Sequence, residues 1–351
     1  MRCHILAACV AIAAAALFIV SCQTGPDLPR KKPSKALEKA TAEYVNAIEQ
    51  EGQNIHSVMI VKNGKVVFEK WMGEGQANIP HVLHSVSKTF TATAVGMAID
   101  QGLLTLDDKV VDFFPEYLPE TVNDNLASLT VRHLLTMNCG FEVSPDSRIR
   151  PNREDWIRGF LAEPFDRKPG TIFCYTSLAT YMLSAIVQKV TGEKVVDYLQ
   201  PRLFEPLGIT DINWEESPEG ITTGGWGLYL KTEDLAKFGQ FFLQEGEWNG
   251  RQLVSKEWIA QATSKQVESV PAGNNTDRLE EIRAAGKKPD WVEGYCFQMW
   301  RCTHNSFRAD GAYGQVIMVL PEKEAVIVIT AHNSGFQAEL DLIWKHLYPA
   351  L

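Results

Sequence analysis

The β-rich runs of this 351-residue chain lie at its two ends, and the long stretch between them reads as helical. Near the start, Ser57-Val58-Met59-Ile60-Val61-Lys62 and Lys65-Val66-Val67-Phe68-Glu69-Lys70-Trp71 flank Asn63-Gly64. Asn-Gly between two such runs is the strongest short signal for a β-hairpin. Strand patterns return at Tyr295–Trp300, Val316–Leu320 and Ala325–Thr330. Amphipathic helices are expected at Leu37–Gln50 and from about Gln337 to Leu347. The middle, about Thr105 to Ala262, carries helical runs such as Val131–Thr136, Tyr181–Val187 and Leu235–Leu243. Strands at both ends imply an α+β fold. One antiparallel sheet is built from the two termini, terminal helices flank it, an all-helical lobe is inserted, and a site lies at the junction. The sheet lobe is expected at about 36–104 and 291–351, and the helical lobe at about 105–290. Gln266 to Asp290 is polar and reads as a surface insertion or flap.

The first residues read as a leader rather than as part of the fold. Arg2 precedes an apolar stretch, Ile5 to Val20, that is short for a membrane span. It ends in Ile19-Val20-Ser21-Cys22, which resembles a bacterial lipobox with Cys22 as the acylated residue; an ordinary secretory signal cut nearby, or a signal anchor, is the alternative. The expected layout is a signal peptide at 1–21, a tether at 22–35 and a single domain at 36–351, held at the cell envelope by lipid on Cys22 and facing the periplasm or exterior. A net charge of −9, with no basic block beyond Arg30-Lys31-Lys32, argues against nucleic acid as a partner. No Cys-x-x-Cys spacing exists. Cys296 and Cys302, if in one extended run, would lie roughly 20 Å apart, beyond disulfide reach. Cys139 and Cys174 are expected either to pair or to remain buried thiols.

Ser85-Val86-Ser87-Lys88 heads the apolar run Thr89–Ile99. A serine and a lysine three apart on a helix share one face. This arrangement sets an amine base beside a nucleophilic hydroxyl without histidine. Alone, it reads equally well as a helix cap beside a solvated lysine. Tyr175-Thr176-Ser177 follows the turn at Lys168–Thr171. A Tyr175 hydroxyl near Lys88 would take or relay the Ser85 proton, with the lysine charge lowering its pKa. Ser177 would donate to the lysine or the substrate. The third segment is Arg308-Ala309-Asp310-Gly311-Ala312-Tyr313-Gly314, before a strand. Its glycines permit close backbone approach, and the Ala312 N–H facing that of Ser85 would make an oxyanion hole. Taken separately, a core tyrosine and a hairpin turn are the better readings of these two segments. No Gly-x-Ser-x-Gly elbow and no His-Glu-x-x-His exists, so neither metal nor cofactor is expected. His84 and His133 are read as structural. Trp226 and Trp300 are read either as pocket lining or as packing between lobes.

Together, in this order, the three segments resemble the serine β-lactamase and penicillin-binding-protein-like superfamily. The resemblance is to the branch of class C β-lactamases, D-Ala-D-Ala carboxypeptidases, β-lactamase-like esterases and 6-aminohexanoate-dimer hydrolase. It runs from about Ser57 to the C-terminus and includes Gly102–Asp108, Thr130–Met137, Leu203–Ile209 and Gly224–Leu228. It implies Ser85 as nucleophile, Lys88 as its activator and Tyr175 as the tyrosine of the Tyr-x-Asn box. Ser85 and Ala312 would form the oxyanion hole, with Ser177, Asp310, Gly311, Tyr313 and Trp226 around the substrate. Two positions depart from the pattern. Ser177 stands where class C enzymes have asparagine. Ala309-Asp310-Gly311 stands where a lysine or histidine precedes Thr/Ser-Gly, so the basic residue that reads a substrate carboxylate is missing. Arg308 is adjacent, but on a strand it faces away from Ala309.

The expected function is hydrolysis of a small ester or amide through an acyl-enzyme on Ser85, the expected partner being a small-molecule ester, amide or peptide substrate. A D-amino-acid-directed peptidase or weak β-lactamase is the second reading. A catalytically silent sensing module is the third.

Overall fold

The computed structural model describes residues 27–151, 154–269, 284 and 290–351. The leader, Cys22 and most of the 266–290 insertion lie outside the described residues.

Helix α1 (Lys35–Gln50) leads into strands β1 (Ile55–Lys62) and β2 (Lys65–Trp71), joined at Asn63-Gly64. Both turn residues take positive φ, as a tight hairpin requires. The strands that follow are β3 (His81–Val82), β4 (Asn213–Trp214), β5 (Leu228–Leu230), β6 (Glu247–Trp248), β7 (Arg251–Gln252), β8 (Trp300–Arg301), β9 (Phe307–Gly311), β10 (Gln315–Leu320) and β11 (Ala325–Ala331). The main sheet runs β2-β1-β11-β10-β9-β8, antiparallel at every pairing. The first and last strands meet at its centre, with Val58 opposite Ile329 and Ile60 opposite Ile327.

Alternation along these strands divides the core. Val58, Ile60, Val316, Met318, Ile327 and Ile329 face α1 and the closing helix, where they meet Leu37, Tyr44 and Leu340. Met59, Val61, Ile317, Val319, Val326 and Val328 face the other way, toward helix α2 (Ser87–Asp100) and the helical layer. A period of two with both faces apolar marks a sheet covered on both sides. Helix α2 is buried from Ser87 through Ala98, so its apolar character runs all round rather than along a stripe.

Three expectations need correction. Residues 28–31, read as a tether, are docked on the sheet: Lys31 N–H donates to Val66 O, and Arg30 pairs with both Glu69 and Glu233. Of the Tyr295–Trp300 run, only Trp300 lies in a strand, as the first residue of β8. Gln298 at φ 60° turns the chain back, and its N–H and side-chain amide donate to the Leu134 and Leu135 carbonyls. The middle is not purely helical, because β3, β5 and β4 form a small sheet and β6 and β7 pair separately. Cys139, Cys174, Cys296 and Cys302 are buried free thiols.

Candidate active site

Ser85 sits in a single 3-10 turn, His84–Val86, that runs directly into α2. Residues i and i+3 eclipse in a 3-10 turn. This geometry sets the Ser85 hydroxyl over the first turn of α2, where Lys88 begins. His84, immediately before the serine, is held at φ 48°, a left-handed conformation that costs a non-glycine residue about 1–2 kcal/mol. Its ring lies 5.2 Å from that of Tyr313.

Lys88 is 1% exposed. Its Nζ lies 3.1 Å from Ser85 Oγ, 3.0 Å from Ser177 Oγ and 2.6 Å from the Gly225 carbonyl oxygen. Burial pushes the ammonium down to about 7; Arg150 adds to this, while Asp146 and Asp310 oppose it. A neutral amine has two N–H donors and one lone pair. Gly225 O accepts one donor and Ser177 Oγ the other, which leaves the lone pair for the Ser85 hydroxyl proton.

The Tyr175 ring lies 5.1 Å from Lys88 Nζ, and its hydroxyl interacts with Ser85. Trp300 stacks on it with centroids 5.7 Å apart. The expectation that Lys88 lowers the phenol pKa is corrected. Burial, then Asp310, raise it above the ordinary value, and the Ser85 interaction offsets only part of this. At neutral pH, Tyr175 is therefore a proton donor and carrier, not a phenolate.

The Tyr175 segment is anchored by a residue that the sequence did not reveal. Asp146 accepts from the Thr176 hydroxyl and from the Ser177 and Leu178 N–H groups, at 2.9 Å for Ser177 and 3.3 Å for Leu178. A carboxylate at the start of the Ser177–Thr191 helix satisfies donors that the helix itself leaves free and favours the positive end of its dipole. Asp146 is 31 residues from Ser177, so no local pattern announces it. His133 caps its own helix through Thr130, as a structural histidine would.

At the end of β9, Gly311 presses against the nucleophile turn. A Cβ there would lie 2.3 Å from Leu83 O and 3.1 Å from Ser85 N. This contact brings the backbone just before Ala312 alongside Ser85. Tyr313 is 48% exposed at the rim and stacks on His332. Arg308 and Asp310 share a face of β9, opposite to Ala309, and pair at 2.9 Å. Arg308 is 1% exposed and also touches Cys302 Sγ. Burial raises the Asp310 pKa, while Arg308 and the Trp300 indole pull it back toward the charged form. Trp226 is half-buried; it meets Trp156 and lies under the Arg150 guanidinium. Ser85, Lys88, Tyr175 and Ser177 thus converge, Gly311 borders them, and Trp226 follows the Gly225 that holds Lys88. Asp310 reaches this cluster electrostatically, and Tyr313 stands at its edge.

The comparisons define a class. The family model described as Beta-lactamase matches residues 45–347. The chain belongs to this family, whose fold is that of the serine β-lactamases and transpeptidases and whose members are serine hydrolases of small esters, amides or peptides. It is 27% identical over 293 residues to the 6-aminohexanoate-dimer hydrolase of Paenarthrobacter ureafaciens, covering 77% of this chain and 70% of that protein. It is 28% identical over 238 residues to an uncharacterized protein of Alkalihalophilus pseudofirmus, covering 60% of this chain and 65% of that one, just under two thirds. In structure it is similar to EstCE1, a hydrolase with promiscuous acyltransferase activity. The TM-score there is 0.71 at 17% identity, over 90% of this chain and 99% of that one, a likeness of fold.

Proposed function

We propose that this protein is a serine hydrolase that cleaves a small ester or amide through an acyl-enzyme on Ser85. The observation that carries this reading is the buried Lys88 amine, 3.1 Å from Ser85 Oγ and pushed down to about 7. Neutral Lys88 takes the Ser85 proton as Oγ attacks the carbonyl carbon. The Ser85 and Ala312 N–H groups receive the oxyanion. Collapse breaks the bond to the leaving group, which takes its proton from Tyr175, and Lys88 reprotonates Tyr175. Water then attacks the ester on Ser85, giving one proton to the Lys88–Tyr175 pair, which returns it to Ser85 Oγ as the acid leaves.

The peptidase or β-lactamase reading is less favoured. Ala309 and the Arg308–Asp310 pair offer no free cation on β9 for a substrate carboxylate. A lipid on Cys22, placing the enzyme at the cell envelope, belongs to the same proposal, and the mass of the mature N-terminal peptide tests it. For the chemistry, a fluorescent fluorophosphonate should label the wild-type protein and leave Ser85→Ala unlabelled. Equal labelling of both would overturn the assignment of Ser85.

A further inference from the structure

The family resemblance calls for a cation that reads a substrate carboxylate, and β9 does not supply it. Ala309 has no charge, and Arg308 is buried and committed to Asp310. A different cation borders the site. The Arg150 guanidinium lies 3.9 Å over the Trp226 ring. Trp226 directly follows Gly225, whose carbonyl oxygen holds Lys88 Nζ at 2.6 Å. Arg150 is exposed, yet close enough that its charge acts on the Lys88 ammonium.

Arg150 also differs from the arginines around it. Arg148 pairs with Glu163, Arg158 with Asp155, and Arg167 with Glu142. Asp146, one turn before Arg150, is taken up by Thr176, Ser177 and Leu178. Among the described residues, Arg150 has no carboxylate partner. Stacking on an indole fixes the plane of a guanidinium while leaving its N–H edges free, and those edges match a carboxylate two bonds at a time.

We propose that Arg150, held on Trp226, binds a carboxylate carried by the substrate, so that this enzyme favours anionic esters or amides. This rests on the serine-hydrolase reading above. The charge that selects an acidic substrate would then come from the Trp226 wall rather than from β9.

The test compares wild type with Arg150→Met, whose side chain still covers Trp226, on two matched pairs of esters. One pair is p-nitrophenyl butyrate and the p-nitrophenyl monoester of glutarate. The other is phenyl butyrate and 4-carboxyphenyl butyrate. In at least one pair, the substitution should lower kcat/KM for the carboxylate ester at least tenfold more than for its neutral partner, chiefly through KM. Arg150→Lys should recover only part of that difference, because an ammonium lacks the planar fork. Equal loss within both pairs, no loss, or no turnover of either carboxylate ester by wild type would overturn the proposal. Fluorophosphonate labelling of wild type separates the two levels. A labelled Ser85 without carboxylate discrimination removes only the Arg150 role, whereas an unlabelled Ser85 removes the hydrolase reading and this proposal together.

Discussion

Replacing Lys88 with methionine should abolish acylation and at the same time stabilise the fold, by an amount that depends on pH. A lysine titrates near 10.5 in the unfolded chain and near 7 in the folded one. That gap, at about 1.4 kcal/mol per pH unit, corresponds to about 5 kcal/mol against folding well below pH 7 and about 4 kcal/mol at pH 7, where the folded-state lysine is half titrated. The sign follows from proton counts. Between 7 and 10.5 the unfolded state binds more protons, so wild-type stability rises with pH across that window. By pH 9 only about 2 kcal/mol of the cost remains. Methionine carries none of it, but leaves the Gly225 carbonyl without its buried donor, which costs about 1–3 kcal/mol at any pH. Urea unfolding followed by circular dichroism should therefore show Lys88→Met more stable than wild type at pH 7, by about 1–3 kcal/mol. That advantage should shrink by about 2–3 kcal/mol by pH 9. A difference that stays constant within about 0.5 kcal/mol over this range would refute the reasoning, because it would mean that the amine carries no depressed pKa.

Four further outcomes follow from the same geometry. In wild type, kcat/KM on a neutral ester should rise with pH through a single limb near 7 as Lys88 loses its proton, and Tyr175→Phe should lower kcat/KM about 10²- to 10⁴-fold while leaving the thermal midpoint nearly unchanged; a stopped-flow pH profile with no limb between 6 and 8, or a silent phenylalanine, would contradict these roles. Gly311→Ala sets a Cβ against Leu83 O, so turnover should fall about 10²-fold, the scale of losing one oxyanion donor, with the far-ultraviolet circular dichroism spectrum retained. Asp310→Asn strands the buried Arg308 charge and should lower the unfolding free energy by about 3–5 kcal/mol in urea melts, whereas replacing both residues with apolar ones should lower it much less.

Much of the sheet was legible because its signals are local. Asn63-Gly64 and the alternating runs that became β1, β2, β10 and β11 carry their own register. The two-residue strands β3 and β4 are too short to show any period, so their small sheet was not anticipated. Tyr295–Trp300 imitates a strand in composition, but Gln298 adopts a left-handed turn sustained by carbonyls from a distant helix. At the site, Ser85 and Lys88 are three residues apart and visible to helical spacing. Asp146, the Gly225 carbonyl and Arg150 act across 31, 137 and 76 residues respectively, distances over which only the folded chain makes them neighbours. The direction of the Tyr175 shift depends on burial, which a single sequence does not display. The docking of residues 28–31 depends on Glu233, more than 200 positions away.

The most direct test of the central claim is intact-protein and peptide mass spectrometry after brief exposure to a slowly turned-over p-nitrophenyl ester, quenched in acid. An acyl adduct on the peptide containing Ser85, absent from Ser85→Ala and from Lys88→Met, is the predicted result. An adduct on another residue, or release of p-nitrophenol at the wild-type rate by Ser85→Ala, would contradict the account.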